Sequence, residues 1–334
     1  MPGPSHPALI RAPQTARVDD SILAFRDAVT AFGDRIGDLR MLPLAIALSL
    51  HLVSLLLRSG IWWAILRAAF PEREVPLRAS VWSYLIGVGA NAVAPLRGGD
   101  VVRVVSIRRQ LGDVSVTTVI STLVAEAMFG GVVMAGIGLV TIAVGWLPPV
   151  ITLPDAKAFE LSFLADHAVA GAIALVLIAA AAGLLADRAV HHTRGFRRHL
   201  TAGFRIMRSP ARFAKVVALP QLLDWALRVA VAYFMLAAFG IPAALRYALL
   251  VVVIDSISTS LPFTPGGAGA QQGLLVFALA GAASSGQVLA FSVGAQAVIV
   301  AFNVLLGLIA CMAVFGHARL LSVGREPVPE TTAA

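Results

Sequence analysis

The chain has 334 residues, 58% of them hydrophobic and only 13% charged, and it carries a formal net charge of +8. A soluble globular domain carries roughly 25% charged residues, so this composition excludes that class and belongs to a membrane protein. The apolar runs are long rather than short and alternating, which excludes a β-barrel and predicts an all-α polytopic integral membrane protein.

Residues 1–18 are polar and Pro-rich and are expected to be disordered. No apolar core followed by a small-residue cleavage site stands near the N-terminus, so no signal peptide is expected. The stretch 19–40 places Ile22, Phe25, Val29, Phe32, Ile36 and Leu39 at spacings of three and four, with Asp and Arg opposite. This narrow stripe predicts an amphipathic helix lying on the membrane surface; a helix packed on the bundle is the other reading. A transmembrane domain over 41–316 follows, then a short cytoplasmic tail over 317–334. About six full spans are predicted, near 41–66, 79–95, 114–145, 163–186, 216–239 and 287–315. Between the last two, 244–284 is interrupted by "LPFTPGGAGAQQG" and reads either as a re-entrant hairpin or as two short spans. The one cysteine, Cys311, lies in the last apolar run and reads as a small hydrophobe, so no disulfide framework is implied.

Arg-dense connections stand after 79–95 and between 186 and 216. The positive-inside rule puts both in the cytoplasm of a bacterial-type plasma membrane, and with these spans both termini as well. Arg67, Arg73 and Arg78 then fall outside, against that rule.

Two interruptions match. "APLRGGD" at 94–100 and "FTPGGAG" at 263–269 each put proline before a Gly-Gly pair, after an apolar run short for a span. Each is followed, nearly thirty residues on, by a lone polar residue, Glu126 and Gln296. Backbone that leaves the helix at membrane depth needs protein or water as a partner, and paired breaks in two halves are the sequence mark of a transport site. Ordinary helix ends, stopped by Pro and Gly, are the plainer explanation. The first break gathers Asn91, Pro95, Arg97, Gly98, Gly99, Asp100 and Arg103, where helix N-terminal amides and arginine could meet a lipid phosphate. Arg108 and Arg109 read as interfacial anchors. Glu126 and Asp255 lie within apolar segments without a sequence-local cation, so each needs a partner from another helix. Asp224 and Arg228, four apart, are expected to neutralise each other. Around the second break, Asp255, Ser258, Ser260, Pro262, Pro265, Gly266, Gly267, Gln271 and Gln272 complete a set of candidate head-group-binding residues. Both breaks are expected to line one polar cavity.

"NAVAPLRGGDVVRVVSIRRQLG", Glu126 and "STSLPFTPGGAGAQQG" together resemble the lysylphosphatidylglycerol synthase transmembrane family, which includes the flippase domain of the multiple peptide resistance factor. The resemblance runs from the first span to the last and implies a two-half pseudo-repeat of broken helices that handles lipid. Four positions depart from it. Ala127 and Gly130 stand where the family often has Arg and Asp after its glutamate, and Gln271 and Gln272 where it often has Arg-Glu. The family's aminoacylated head group is therefore not carried over, and no soluble synthase domain is present in this chain.

A lipid translocase without a synthase domain is the leading expectation. A membrane-embedded lipid-modifying enzyme and a non-catalytic accessory of a lipid glycosyltransferase are the alternatives. No catalytic residue, metal site or cofactor is assigned. The expected partners are membrane lipids with anionic head groups, with a homo-oligomer or a lipid-modifying enzyme as further possibilities; the basic charge needs no nucleic acid, since anionic lipid accounts for it.

Overall fold

The computed structural model describes residues 39–94, 98–112, 114–143, 201–260 and 270–316, together with Gly37. The expected disordered N-terminus, most of the surface helix over 19–40, the span over 163–186 and the tail lie outside the described residues. Those residues form an all-α bundle, and the chain is a polytopic membrane protein.

Its elements repeat in order. In the first half, α1 (Met41–Ala69, 29 residues) leads to α2 (Leu77–Val93, 17 residues), a break, α3 (Gly98–Leu111, 14 residues) and α4 (Val116–Ala143, 28 residues). In the second, α5 (Pro210–Ala238, 29 residues) leads to α6 (Leu245–Ser260, 16 residues), a break, α7 (Ala270–Ala278, 9 residues) and α8 (Ser285–Cys311, 27 residues). A 3₁₀ turn, Thr201–Arg208, precedes α5, and one π turn, Ala214–Ala218, lies within it. Four helices, α1, α4, α5 and α8, are long and apolar enough to cross a bilayer. At a rise of about 1.5 Å per residue α2 is only about 25 Å long, shorter than the hydrocarbon layer.

The short helices are arms of hairpins. Along α2 and α3, Gly99 N–H donates to Asn91 Oδ1 (2.8 Å), Ser83 Oγ to Ser106 Oγ (3.1 Å) and Gln110 Nε2 to the Ala79 carbonyl (3.4 Å). That antiparallel register returns α3 to the end where α2 began. The expected span over 79–95 is thus one arm of a helical hairpin whose other arm, α3, carries the chain back again. The second hairpin mirrors it: Gln271 Nε2 reaches Asp255 Oδ1 (3.2 Å), and Gln287 Nε2 on α8 reaches the Gly240 carbonyl (3.4 Å) beside the start of α6. Of the two expectations for 244–284, the re-entrant hairpin is the one that fits the described arms.

α1 and α5 run antiparallel. Arg40 N–H donates to the Ala238 carbonyl (3.0 Å), Ser54 Oγ bonds Asp224 Oδ1, and Ile61 and Ile65 pack with Ile206 and Val217. The two halves are therefore inverted, and their hairpins enter from opposite ends of the bundle. Arg67, Arg73, Arg78, Arg108, Arg109, Arg205, Arg208, Arg212 and Lys215 all fall at the end where α1 finishes; Arg73 there donates to the Leu111 carbonyl (3.1 Å). The chain enters α1 at the other end and finishes α8 at this basic one, where Arg109 lies 5.5 Å from the Phe315 ring. The span count put these two points at one end; the termini beyond them lie outside the described residues. The cause of the difference is the first hairpin, which turns back where a crossing was counted.

Packing between halves depends on small residues. A Cβ on Gly89 would lie 2.7 Å from Gly307 Cα, so α2 and α8 cross backbone against backbone, the way small residues let membrane helices approach. Gly99 is held equally closely: a Cβ there would overlap the Gly87 carbonyl and lie 2.5 Å from Asn91 N.

Candidate functional site

The inverted repeat has a fixed spacing. Ser54 and Asp224 stand 170 residues apart, as do Arg58 and Arg228, Pro95 and Pro265, Thr122 and Ser292, and Glu126 and Gln296. Antiparallel helices related in this way cross at a pseudo-two-fold axis, and Ser54 meets Asp224 there. Asp224 is fully buried. Arg228 Nε donates to its Oδ2 at 3.0 Å, and Arg58 Nε lies 3.9 Å from the same oxygen. The expected Asp224–Arg228 pair is present, with a second guanidinium added from the other half.

Each short helix after a break is tied to the long helix that follows. In the first half Arg103 Nη2 meets Glu126 Oε2 at 2.6 Å, with both side chains nearly buried. This is the inter-helix partner that Glu126 needs. The guanidinium carbon sits 3.8 Å from the Trp62 ring centre and 4.3 Å from that of Tyr84, a desolvated cation–π stack. Arg103 Nε is buried with no hydrogen-bond partner among the described residues. In the second half the same joint is neutral: Gln272 Nε2 donates to Gln296 Oε1 at 3.2 Å.

At the N-terminus of α3, Asn91 Oδ1 caps the Gly99 N–H and Asn91 Nδ2 lies 3.4 Å from Asp100 Oδ1. Asp100 puts a carboxylate in the first turn, where the helix dipole favours one. One amide expected to receive a lipid phosphate is thus already bonded. Pro95, Arg97, Pro262, Pro265, Gly266 and Gly267 lie outside the described residues, as does the side chain of Ser260.

Beside the axis lies a cavity of about 310 Å³. α1 contributes His51, Ser54 and Arg58; α5 contributes Arg228 and Ala232; α6 and α7 contribute Asp255, Ser256 and Gln271; α8 contributes Ser292 and Gln296. Apart from Gln271, in the first turn of α7, these stand well within their helices, and a charge at the centre of a membrane costs at least about 2.5 kcal/mol. The volume lies at the lower end of small-molecule pockets, roughly 300–1,000 Å³. Sequence reasoning placed Asp255 and Gln271 here. The described residues of the first break do not line it, and Pro95, Leu96 and Arg97 lie outside the described residues. In the first half the fully buried Trp62 stands at the position that, 170 residues on, is the cavity-lining Ala232.

Polar capacity remains in the cavity wall. Arg58 makes no hydrogen bond with a described residue; its ion pair to Asp224 is long, and its guanidinium carbon is 5.4 Å from the Tyr84 ring centre. Gln271 donates to Asp255, which fixes its amide, and leaves its buried Oε1 without a partner among the described residues. His51 Nε2 is bonded to Asn303 Oδ1 at 2.9 Å. Ser258, which does not line the cavity, also keeps its buried Oγ without a partner among the described residues. Among the described residues, no group of three or more His, Cys, Asp or Glu converges to hold a metal ion.

His51, Ser54, Arg58, Ser292 and Asn303 were not singled out from sequence. The constant spacing that links Arg58 to Arg228 was the available signal. Residues 22–307 match the family described as lysylphosphatidylglycerol synthase TM region. No curated protein and no solved structure matches the chain. The chain belongs to that family, a membrane family tied to lipid.

Proposed function

We propose that this family member is a lipid translocase, which carries the polar head group of a membrane lipid past the hydrocarbon layer without altering it. The supporting observation is the mid-depth cavity flanked by Arg58 and Arg228 and walled by a re-entrant hairpin. An unpaired polar group in hydrocarbon costs several kcal/mol, and such a cavity lowers that barrier by supplying partners. Irregular backbone at membrane depth is tolerated where it lines such a space, and inverted repeats are a recurring plan for moving polar cargo. The positive-inside rule puts the basic end in the cytoplasm of a bacterial-type plasma membrane, with the start of α1 and the second hairpin outside. Anionic head groups are the cargo that arginines favour.

The test is transfer of a fluorescent phospholipid across proteoliposome membranes, read by quenching from outside and by mass analysis of the recovered lipid. Transfer above protein-free vesicles, with the lipid unchanged, is the expected result. No transfer, or a chemically altered lipid, refutes the proposal. Orientation is read in a Cys311→Ser background: Ser284→Cys should label from outside the cell and Ala211→Cys only after the membrane is opened.

A further inference from the structure

The cavity specifies more than an anion. Arg58 offers five N–H donors, makes no hydrogen bond with a described residue, and is held only loosely by an Asp224 that Arg228 already engages at 3.0 Å. It is the guanidinium with capacity for a new acceptor. Across the same cavity, Gln271 presents the opposite need. Its Nε2 is committed to Asp255, so the amide cannot turn over without setting its oxygen against a carboxylate. Its Oε1, buried and without a hydrogen-bond partner among the described residues, calls for a donor.

We propose that this cavity is a head-group site for phospholipids whose phosphate accepts from Arg58 and whose head group donates an O–H or N–H to Gln271 Oε1. The inference rests on the translocase reading and adds the class of cargo. A glycerol or primary-amine head group satisfies both ends. A trimethylammonium head group carries the same phosphate but has no donor, so it leaves Gln271 unsatisfied. Burying a polar group against a site that cannot pair with it costs about 1–3 kcal/mol, a preference of roughly 5- to 100-fold. Arg228 is the lesser phosphate ligand, because its Nε is spent on Asp224.

The experiment measures binding and transfer side by side on the full-length protein. Short-chain phosphatidylglycerol, phosphatidylethanolamine and phosphatidylcholine are titrated against tryptophan fluorescence in detergent, with glycerol 3-phosphate as the soluble arm. Phosphatidylglycerol and phosphatidylethanolamine are expected to bind about tenfold more tightly than phosphatidylcholine. Gln271→Leu should level the three, mostly by weakening the first two. Arg58→Gln should weaken all three at least tenfold, and Arg58→Lys should weaken them less. Gln287→Leu, outside the cavity, serves as the control, and folded yield is matched by gel filtration. Wild-type selectivity needs no variant and is decisive even if Arg58→Gln does not fold. Equal binding of phosphatidylcholine, or full binding by Arg58→Gln, overturns the site while leaving transfer intact as a separate result. Glycerol 3-phosphate binding as tightly as the lipids reassigns the site to a soluble phosphate ester and overturns the lipid assignment. No binding together with no transfer overturns both this site and the translocase reading.

Discussion

Glu126→Gln probes the joint between α3 and α4, because it removes the charge facing Arg103 and nothing else. The two side chains touch at 2.6 Å and are only 8% and 12% exposed, so the guanidinium cannot turn to water. Breaking a buried ion pair by neutralising one partner costs about 3–5 kcal/mol. The amide oxygen still accepts one hydrogen bond, and the stack on Trp62 and Tyr84 remains, which holds the cost near the lower limit, about 3 kcal/mol. Arg103→Gln alone strands a carboxylate and loses the stack, so about 4 kcal/mol is expected. The double variant rebuilds, in the first half, the glutamine pair that the second half already uses at 3.2 Å. It should cost about 3 kcal/mol, mostly the lost stack, which gives a coupling energy above about 2 kcal/mol between the two positions. The assay is reversible unfolding in mixed micelles, followed by tryptophan fluorescence. A Glu126→Gln variant within about 0.5 kcal/mol of wild type, or a double variant equal to the sum of the singles, would show that the ion pair is not the joint.

Gly89→Ala sets a methyl 2.7 Å from Gly307 Cα and should lower stability by about 1–3 kcal/mol, whereas Gly286→Ala, with nothing within 4 Å, should leave the thermal midpoint unchanged. Asp224→Ser makes position 224 match Ser54 and leaves two guanidiniums without their carboxylate; a loss of about 3–5 kcal/mol, seen as a fall in folded yield, is expected. Asn91→Ala removes the cap on Gly99 and should cost about 1 kcal/mol by the same unfolding assay, and Asn91→Asp should not recover it, because it sets a second carboxylate against Asp100.

Apolar length and the Pro-Gly-Gly breaks made the membrane class, the two interrupted segments and the Glu126/Gln296 correspondence readable from residues alone. Direction was not readable. An apolar arm of 17 residues and a full span present the same hydropathy, and only the register of Asn91 with Gly99 and Ser83 with Ser106 shows that the chain turns back. Once it does, Arg67, Arg73 and Arg78 join the other cations at one end, and the charge pattern that conflicted with the span count is consistent. Arg58 was passed over for a related reason: it stands alone within the first apolar run, while its meaning comes from a helix 170 residues away. Asn91 drew attention as a ligand, but the structure uses it as a cap, a role local spacing does not announce because the capped helix begins only after the turn.

The crossing of α1 and α5 also bears on why both halves share one chain. In a symmetric pair of identical subunits, whatever stood at this crossing would stand there twice. Two serines would leave two arginines facing each other with no anion, and two aspartates would press like charges together at the axis. Fusion lifts that constraint: one copy carries Ser54 and the other Asp224, so a single carboxylate serves two guanidiniums. The same freedom lets one half carry the buried Trp62 where the other has the cavity-lining Ala232. Covalent duplication thus gives this bundle what a homodimer of either half cannot have, an inside that differs from one half to the other.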